Sequence, residues 1–245
     1  EYIKLNRIPR HLQDALIVTE DVRFYEHSGI DFWGVVNLFR TAFTYVFTGE
    51  LRGGSTITQQ LARNLYIEQV GQERSMMRKF KEAAAAIYLE RKFTKRELMN
   101  HYLNTVPFGG SIYGVQAAAR HYFGKNAEEL APQESALLVG ILKGPTFYNP
   151  YRNAKACLAR RNTVISQLEK YNKITAIRAA DLKKTPLGVT PGMGKLEHNT
   201  GLATYFREHL RGWMQKQIES LNLKIIKNGR RVTPNLYTDG LEVYT

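Results

Sequence analysis

The chain of 245 residues has one cysteine, Cys157. No disulfide can form within it, so its stability must come from packing. The compartment stays open, because many domains of oxidising compartments lack disulfides. No apolar run reaches the roughly eighteen residues of a membrane-spanning helix. No signal-peptide pattern opens the sequence either. Any anchor or targeting segment would have to lie outside this chain. Internal repeats and low-complexity tracts are missing. Acidic residues are scarce: 22 Asp and Glu stand against 35 Lys and Arg, a net charge of +13. Such a surface attracts nucleic acid, anionic lipid headgroups or a phosphorylated substrate, and charge alone does not choose among them. Hydrophobic residues make up 43% of the chain. That suffices for one sizeable core, or one large domain with a small appendage, and excludes a disordered or fibrous chain.

What is present reads as helices over the first two-thirds. Leu12, Ala15, Leu16 and Thr19 follow Pro9 at helical spacing. Phe32, Val35, Val36, Phe39, Phe43, Val46 and Phe47 mark an amphipathic helix from Asp31 to about Phe47, interrupted by Asn37 and Arg40. Gly53-Gly54 breaks the chain, and Ser55 is the expected N-cap of a helix through Leu65. Further helices are expected from Ser75 to Lys92, from Glu97 to Leu103 behind a capping box at Thr94, from Gln133 to Leu142 behind Pro132, and from Lys155 to Tyr171. After Lys184 the composition shifts to Pro and Gly, a linker signal. A helix over about 202–220 and a hairpin around Asn228-Gly229 follow, and Leu241 to Thr245 reads as the start of a strand.

Four clusters carry chemistry. Glu20, Asp21, Glu26 and His27 crowd the end of an apolar helix before Gly29. Alone, that is as well read as a solvated helix end. Ser55, Thr56, Thr58, Gln59 and Gln60 line the first turn of a helix that goes on to Arg63 and Asn64. Its free amides and the positive end of its dipole suit a phosphate. Arg74, Arg78, Lys79, Lys81 and Glu82 form either an exposed salt-bridge ladder, the commonest meaning of such spacing, or a cationic cradle for a diphosphate, to which arginine is suited because its planar fork binds phosphate oxygens in pairs. The stretch from Lys95 to Asn104 with Phe108-Gly109, and the stretch from Arg160 to Ile165, read as architecture.

In order along the chain these are Glu-Asp-x-x-Phe-x-x-His-x-Gly, Gly-Gly-Ser-Thr-Ile-Thr-Gln-Gln, Arg-Lys-x-x-Glu, Lys-x-x-x-Met-x-x-Tyr-Leu-Asn and Arg-Arg-x-x-Val-Ile. Over about residues 8–175 the sequence closely resembles the peptidoglycan glycosyltransferase domain of class A penicillin-binding proteins and monofunctional transglycosylases (family 51 glycosyltransferases). Arg63 departs from the lysine common there. The serine–lysine, serine–asparagine and lysine–threonine–glycine motifs of the transpeptidase are absent; no serine has a lysine three positions on.

The resemblance implies a mainly α, lysozyme-like helical glycosyltransferase domain with a membrane-associating segment, at residues 1–184. Residues 185–245 would form a small α+β fragment: a linker and the start of a truncated transpeptidase-side region. The implied reaction joins lipid II units into β-1,4-linked glycan with inversion and release of undecaprenyl diphosphate. Glu20 would be the catalytic base, and Glu82 the second functional glutamate, orienting cations or helping to hold a metal. Asp21, Ser55, Thr56, Gln59, Gln60, Arg63, Asn64, Arg74, Arg78 and Lys79 would bind substrate. No cofactor is demanded; a divalent cation, Mg2+ or Mn2+, is the one candidate, at the diphosphate. Partners would be lipid II, the growing lipid-linked glycan, the outer leaflet and moenomycin-type inhibitors, but not nucleic acid. The location would be the cytoplasmic membrane, with the catalytic domain on its outer face. A lysozyme-like lytic transglycosylase or muramidase is the alternative enzyme, although a hydrolase has no use for a diphosphate cradle. A basic nucleic-acid-binding protein is the non-enzyme alternative, although no recognised nucleic-acid motif occurs.

Overall fold

A computed structural model describes residues 1–32, 54–66 and 75–190, together with a few positions between 213 and 232. It divides into two compact units, Glu1–Gly194 and Lys195–Thr245. The expected helix over 31–47 lies outside the described residues apart from its first two positions, and Arg74 lies outside them as well.

The first unit is mainly helical, as the sequence implied. Helix α1 (Arg10–Glu20) begins directly after Pro9 and buries Leu12, Ala15, Leu16 and Val18. It packs against α6 (Pro132–Leu142) and α7 (Ala154–Lys170), which also pack on each other. Helix α6 is apolar nearly all round, from Ala136 to Ile141, and a helix of that kind has to be enclosed. On the other side, α2 (Ile57–Leu65) lies against α3 (Met76–Lys92) and α4 (Lys95–Thr105). A short hairpin, β1 (Pro107–Gly109) with β2 (Ile112–Tyr113), leads into α5 (Val115–Phe123). Helix α8 (Ala176–Lys184) packs on α7.

The caps explain where the helices start. Thr94 and Glu97 form the expected capping box, and the helix they open runs slightly longer than expected. The cap of α2 differs from expectation. Thr56, not Ser55, accepts from the amide of Gln59, whose side chain returns to the Thr56 amide in a reciprocal box. Ser55 is thereby released, and its hydroxyl accepts from Lys79 Nζ at 3.0 Å.

The proline- and glycine-rich stretch after Lys184 was expected to be a linker. Its first residues are instead strapped to the helical core. Arg161, fully buried, donates to the carbonyls of Lys183 and Pro186. The Thr190 amide donates to the Tyr122 carbonyl at 2.8 Å. In the second unit β3 (Ile225–Lys227) pairs antiparallel with β4 (Arg230–Val232), the pairing expected of a hairpin here. Trp213, Lys216, Gln217 and Ser220 are helical; the remainder of the expected helix and the final strand lie outside the described residues.

Candidate active site

Three carboxylates meet around α2, and each is held differently. Glu20 is the last residue of α1. Its Oε2 accepts from Gln60 Nε2 at 3.0 Å, while its Oε1 lies 3.9 Å from the Arg160 guanidinium. Arg160 is mostly buried on α7, and its Nε is buried with no partner among the described residues. By its sequence the Arg160-Arg161 pair is expected to be architecture. That is so for Arg161, but Arg160 faces the glutamate. No spacing rule could show this, because α1 and α7 meet only through the fold.

Asp21, one residue on, turns the other way and is buried. Its Oδ2 accepts the Ile57 amide at 2.9 Å, and both its oxygens lie 3.0 Å from His27 Nε2. His27 Nδ1 accepts the Gly29 amide, so the ring proton sits on Nε2 and points at Asp21. The Gly29 carbonyl in turn accepts from Thr56 Oγ1 at 2.6 Å. Gly29 itself has φ +96°, and a Cβ there would sit 3.0 Å from the backbone of Ala86 on α3. Only glycine allows that approach without strain.

These bonds change the reading of the α2 N-terminus. The dipole and free amides were expected to attract a phosphate there. In the structure the anion at that end is the Asp21 carboxylate, and the Thr56 and Gln59 amides have side-chain partners. Thr56, Gln59 and Asp21 therefore shape the site from beneath, fastening α2 to the turn that follows Glu20.

Glu82 is fully buried on α3. Arg78 bonds its Oε1, and Lys79 bonds its Oε2 at 2.7 Å. Lys79 also reaches Ser55, so the two cations and the loop before α2 are tied through one carboxylate. Arg78 Nε is buried without a partner among the described residues. Both Glu82 oxygens are taken by cations, which would repel a metal ion, so this carboxylate does not suit Mg2+ or Mn2+. Of its two expected roles, the geometry fits the orienting of cations. Among the described residues no group of three His, Cys, Asp or Glu gathers to hold a metal.

Gln60 connects the base side to the core. Its Oε1 accepts from the hydroxyl of Tyr102, a fully buried residue of α4, at 2.9 Å. Burial, and after it the Glu20 carboxylate, push this phenol well above the usual tyrosine range, with Arg63 pulling the other way. Arg63 and Asn64 follow on α2, both partly buried. Sequence reasoning missed Tyr102, which stood inside a motif taken as packing.

The helical domain thus sets one glutamate beside Arg160 and clamps a cation pair, Arg78 and Lys79, on a second. The transglycosylase family matches residues 1–169, more than half of the chain, and the chain belongs to that family. It is 38% identical to penicillin-binding protein 1A of Aquifex aeolicus, over 87% of this chain and 28% of that protein. It is 43% identical to penicillin-binding protein 1A of Escherichia coli, over 71% of this chain and 20% of that protein. Against penicillin-binding protein 1A of Vibrio cholerae the identity is 36%, over 99% of this chain and 27% of that protein. The chain thus spans less than a third of the length of each of these relatives.

Proposed function

We propose that this chain polymerises lipid II into β-1,4-linked glycan, with Glu20 as general base. The observation that supports it best is the state of the three carboxylates. Asp21 is bonded to His27 and Ile57, and Glu82 to Arg78 and Lys79. Among the described residues Glu20 alone of the three keeps an oxygen, Oε1, with no hydrogen bond, its ion-pair neighbour being the Arg160 guanidinium at 3.9 Å. It is the carboxylate free to take a proton.

The reaction is one displacement. The acceptor's 4-hydroxyl oxygen attacks the donor's anomeric carbon from the face opposite the diphosphate. The bond from that carbon to the diphosphate oxygen breaks, and the hydroxyl proton passes to Glu20. A single displacement inverts the centre and needs no carboxylate nucleophile. The departing diphosphate gains charge, which Arg63, Arg74, Arg78 and Lys79 would neutralise, with Ser55, Gln60 and Asn64 lining the donor side. Thr56, Gln59 and Asp21 would serve by holding α2.

The lipid-linked substrates place the domain at a membrane surface. No helix among the described residues is long and apolar enough to cross a membrane. The first turns of α3 do expose Met76, Met77 and Phe80 beside Arg78 and Lys79, an apolar and cationic face suited to lipid headgroups. Residues 185–190 belong with the helical domain, and the second unit, Lys195–Thr245, is assigned to the transpeptidase side. The 99% coverage in the Vibrio cholerae match extends across them.

Incubation with labelled lipid II, followed by gel analysis of the polymer, tests the assignment. Glu20→Gln should fold like the parent and lose turnover by about a hundredfold to ten-thousandfold. A folded Glu20→Gln protein with near-normal turnover would remove the base. Cleavage of finished glycan without polymerisation would favour the hydrolase.

A further inference from the structure

The Tyr102 hydroxyl is placed in an unusual way for a buried phenol. A tyrosine inside a core commonly donates to a backbone carbonyl, as Tyr122 does to Phe108 at 2.9 Å. Tyr102 is equally buried, yet it donates to a side chain, and that side chain ends on Glu20. The chain of bonds is O–H to amide oxygen at 2.9 Å, then amide N–H to carboxylate at 3.0 Å.

We propose that Tyr102 is a positioning residue for the base: its hydroxyl locks the Gln60 amide so that the N–H end, and never the carbonyl, faces Glu20. This rests on the reading of Glu20 as base.

The physical reason lies in the amide. Its two ends are nearly the same size and opposite in polarity. A glutamine free to turn over would at times present its carbonyl oxygen to the carboxylate. That contact repels the ionised form, the only form able to accept a proton, whereas an N–H bond favours it. Tyr102 prevents the turn because a buried phenol has to donate, and Gln60 Oε1 is where it does so. Tyr102 is fully buried, so bulk water does not compete for its hydroxyl. The hydroxyl remains a donor across the working range, since burial and the nearby Glu20 hold its proton on. Bonds in such a series polarise one another, so the lock also strengthens the N–H contact.

The other charged groups around Glu20 come from every helix packed near it. Helix α7 brings Arg160 to its Oε1, and α2 brings Arg63 towards Tyr102. Asp21 is engaged with His27. Helix α6 contributes Glu134, which bonds Lys125 and acts on His11 at the far end of α1. Helix α3 turns Glu90 to Thr58 and Lys95. None of these fixes the orientation of the Gln60 amide.

The test is the pH dependence of lipid II polymerisation by the full chain, for the parent, Tyr102→Phe, Gln60→Met and the double variant, with a melting curve for each. Tyr102→Phe keeps the ring and removes one oxygen. Losing one hydrogen bond should lower turnover about threefold to tenfold and move the acid limb of the pH–rate profile up by about half a unit to one unit. Gln60→Met should move the limb at least as far. The double variant should match Gln60→Met alone, because Tyr102 acts only through Gln60. An unmoved acid limb in Tyr102→Phe, with activity lost equally at every pH or not at all, would overturn the proposal. So would additive losses in the double variant. Should Tyr102→Phe melt far below the parent, an unmoved limb in Gln60→Met overturns it equally. Glu20→Gln in the same series separates the two ideas. If it polymerises like the parent, the base reading fails. If it is inactive while the Tyr102→Phe profile superimposes on the parent's, only the lock fails.

Discussion

Replacing Asp21 by alanine separates a residue that binds substrate from one that holds the site together. The carboxylate is buried and accepts from the Ile57 amide and from His27 Nε2. Its removal leaves both donors unpaired in a dry place and takes the negative charge from the α2 N-terminus. Each stranded donor costs about 1–3 kcal/mol, and the lost cap and dipole contact overlap with that figure. A loss of roughly 2–5 kcal/mol follows, which lowers the melting temperature of a domain of this size by roughly 5–15 °C. Asp21→Asn should fall between: a carbonyl in the place of Oδ2 can still accept from both Ile57 and His27, but the NH2 in the place of Oδ1 then faces the His27 Nε2–H, donor against donor, at a cost of about 1–3 kcal/mol. Because α2 carries Gln60, both variants should also lose turnover, in step with the loss of stability. Melting followed by circular dichroism, alongside lipid II turnover, provides the comparison. If Asp21→Ala melted within about 2 °C of the parent yet lost activity, Asp21 would act on substrate directly and the pin would be refuted.

Three further outcomes are expected. Lys79→Gln puts a neutral donor at best on the buried Glu82 carboxylate and should cost about 1–3 kcal/mol of stability, while weakening binding of a moenomycin-type phosphoglycolipid about tenfold or more in a titration; unchanged affinity in the folded variant would put the diphosphate elsewhere. Gly29→Ala meets both a positive φ and the α3 backbone at 3.0 Å, and should lower unfolding free energy by about 2–4 kcal/mol in denaturant melts. Burial lowers the pKa of His11, against opposing pulls from Leu130, Asp14 and Glu134. Below about pH 6.5 the unfolded chain therefore takes up a proton that the native state resists. Stability present above that pH should fall as the pH drops towards the folded value, and His11→Gln should flatten this part of the curve of melting temperature against pH.

Much of the architecture was legible because it is local. The capping box at Thr94 and Glu97, Pro132 at a helix start and the Asn228-Gly229 hairpin depend on contacts a few residues apart. Helices α5 and α8 and the β1–β2 hairpin were not read from the sequence. Helix α5 starts after Gly114, which offers no capping side chain, and the hairpin strands are too short for alternation to be visible. The choice between Ser55 and Thr56 as cap was also beyond local rules. Both residues can cap, and their partners lie far off in the chain: the Thr56 hydroxyl donates to the Gly29 carbonyl, and the Ser55 hydroxyl accepts from Lys79.

The candidate site divides along the same line. Residue identities brought out the carboxylates around Glu20, the hydroxyl and amide run after Gly53-Gly54 and the cations around Glu82 as clusters, and the resemblance carried by their order singled out Glu20 among them. Their division of labour needed the third dimension. Asp21 sits beside Glu20 in the chain, but the end of α1 turns it into the protein to pin α2, while Glu20 faces Gln60 and Arg160. Arg160 and Tyr102 joined the site from helices read as architecture. Sequence alone determined which groups are available and which short segments coil. Only the packing of α1, α2, α4 and α7 decided which carboxylate oxygen has no hydrogen bond among the described residues, because a carboxylate's role depends on neighbours that are 40 to 140 positions away in the chain.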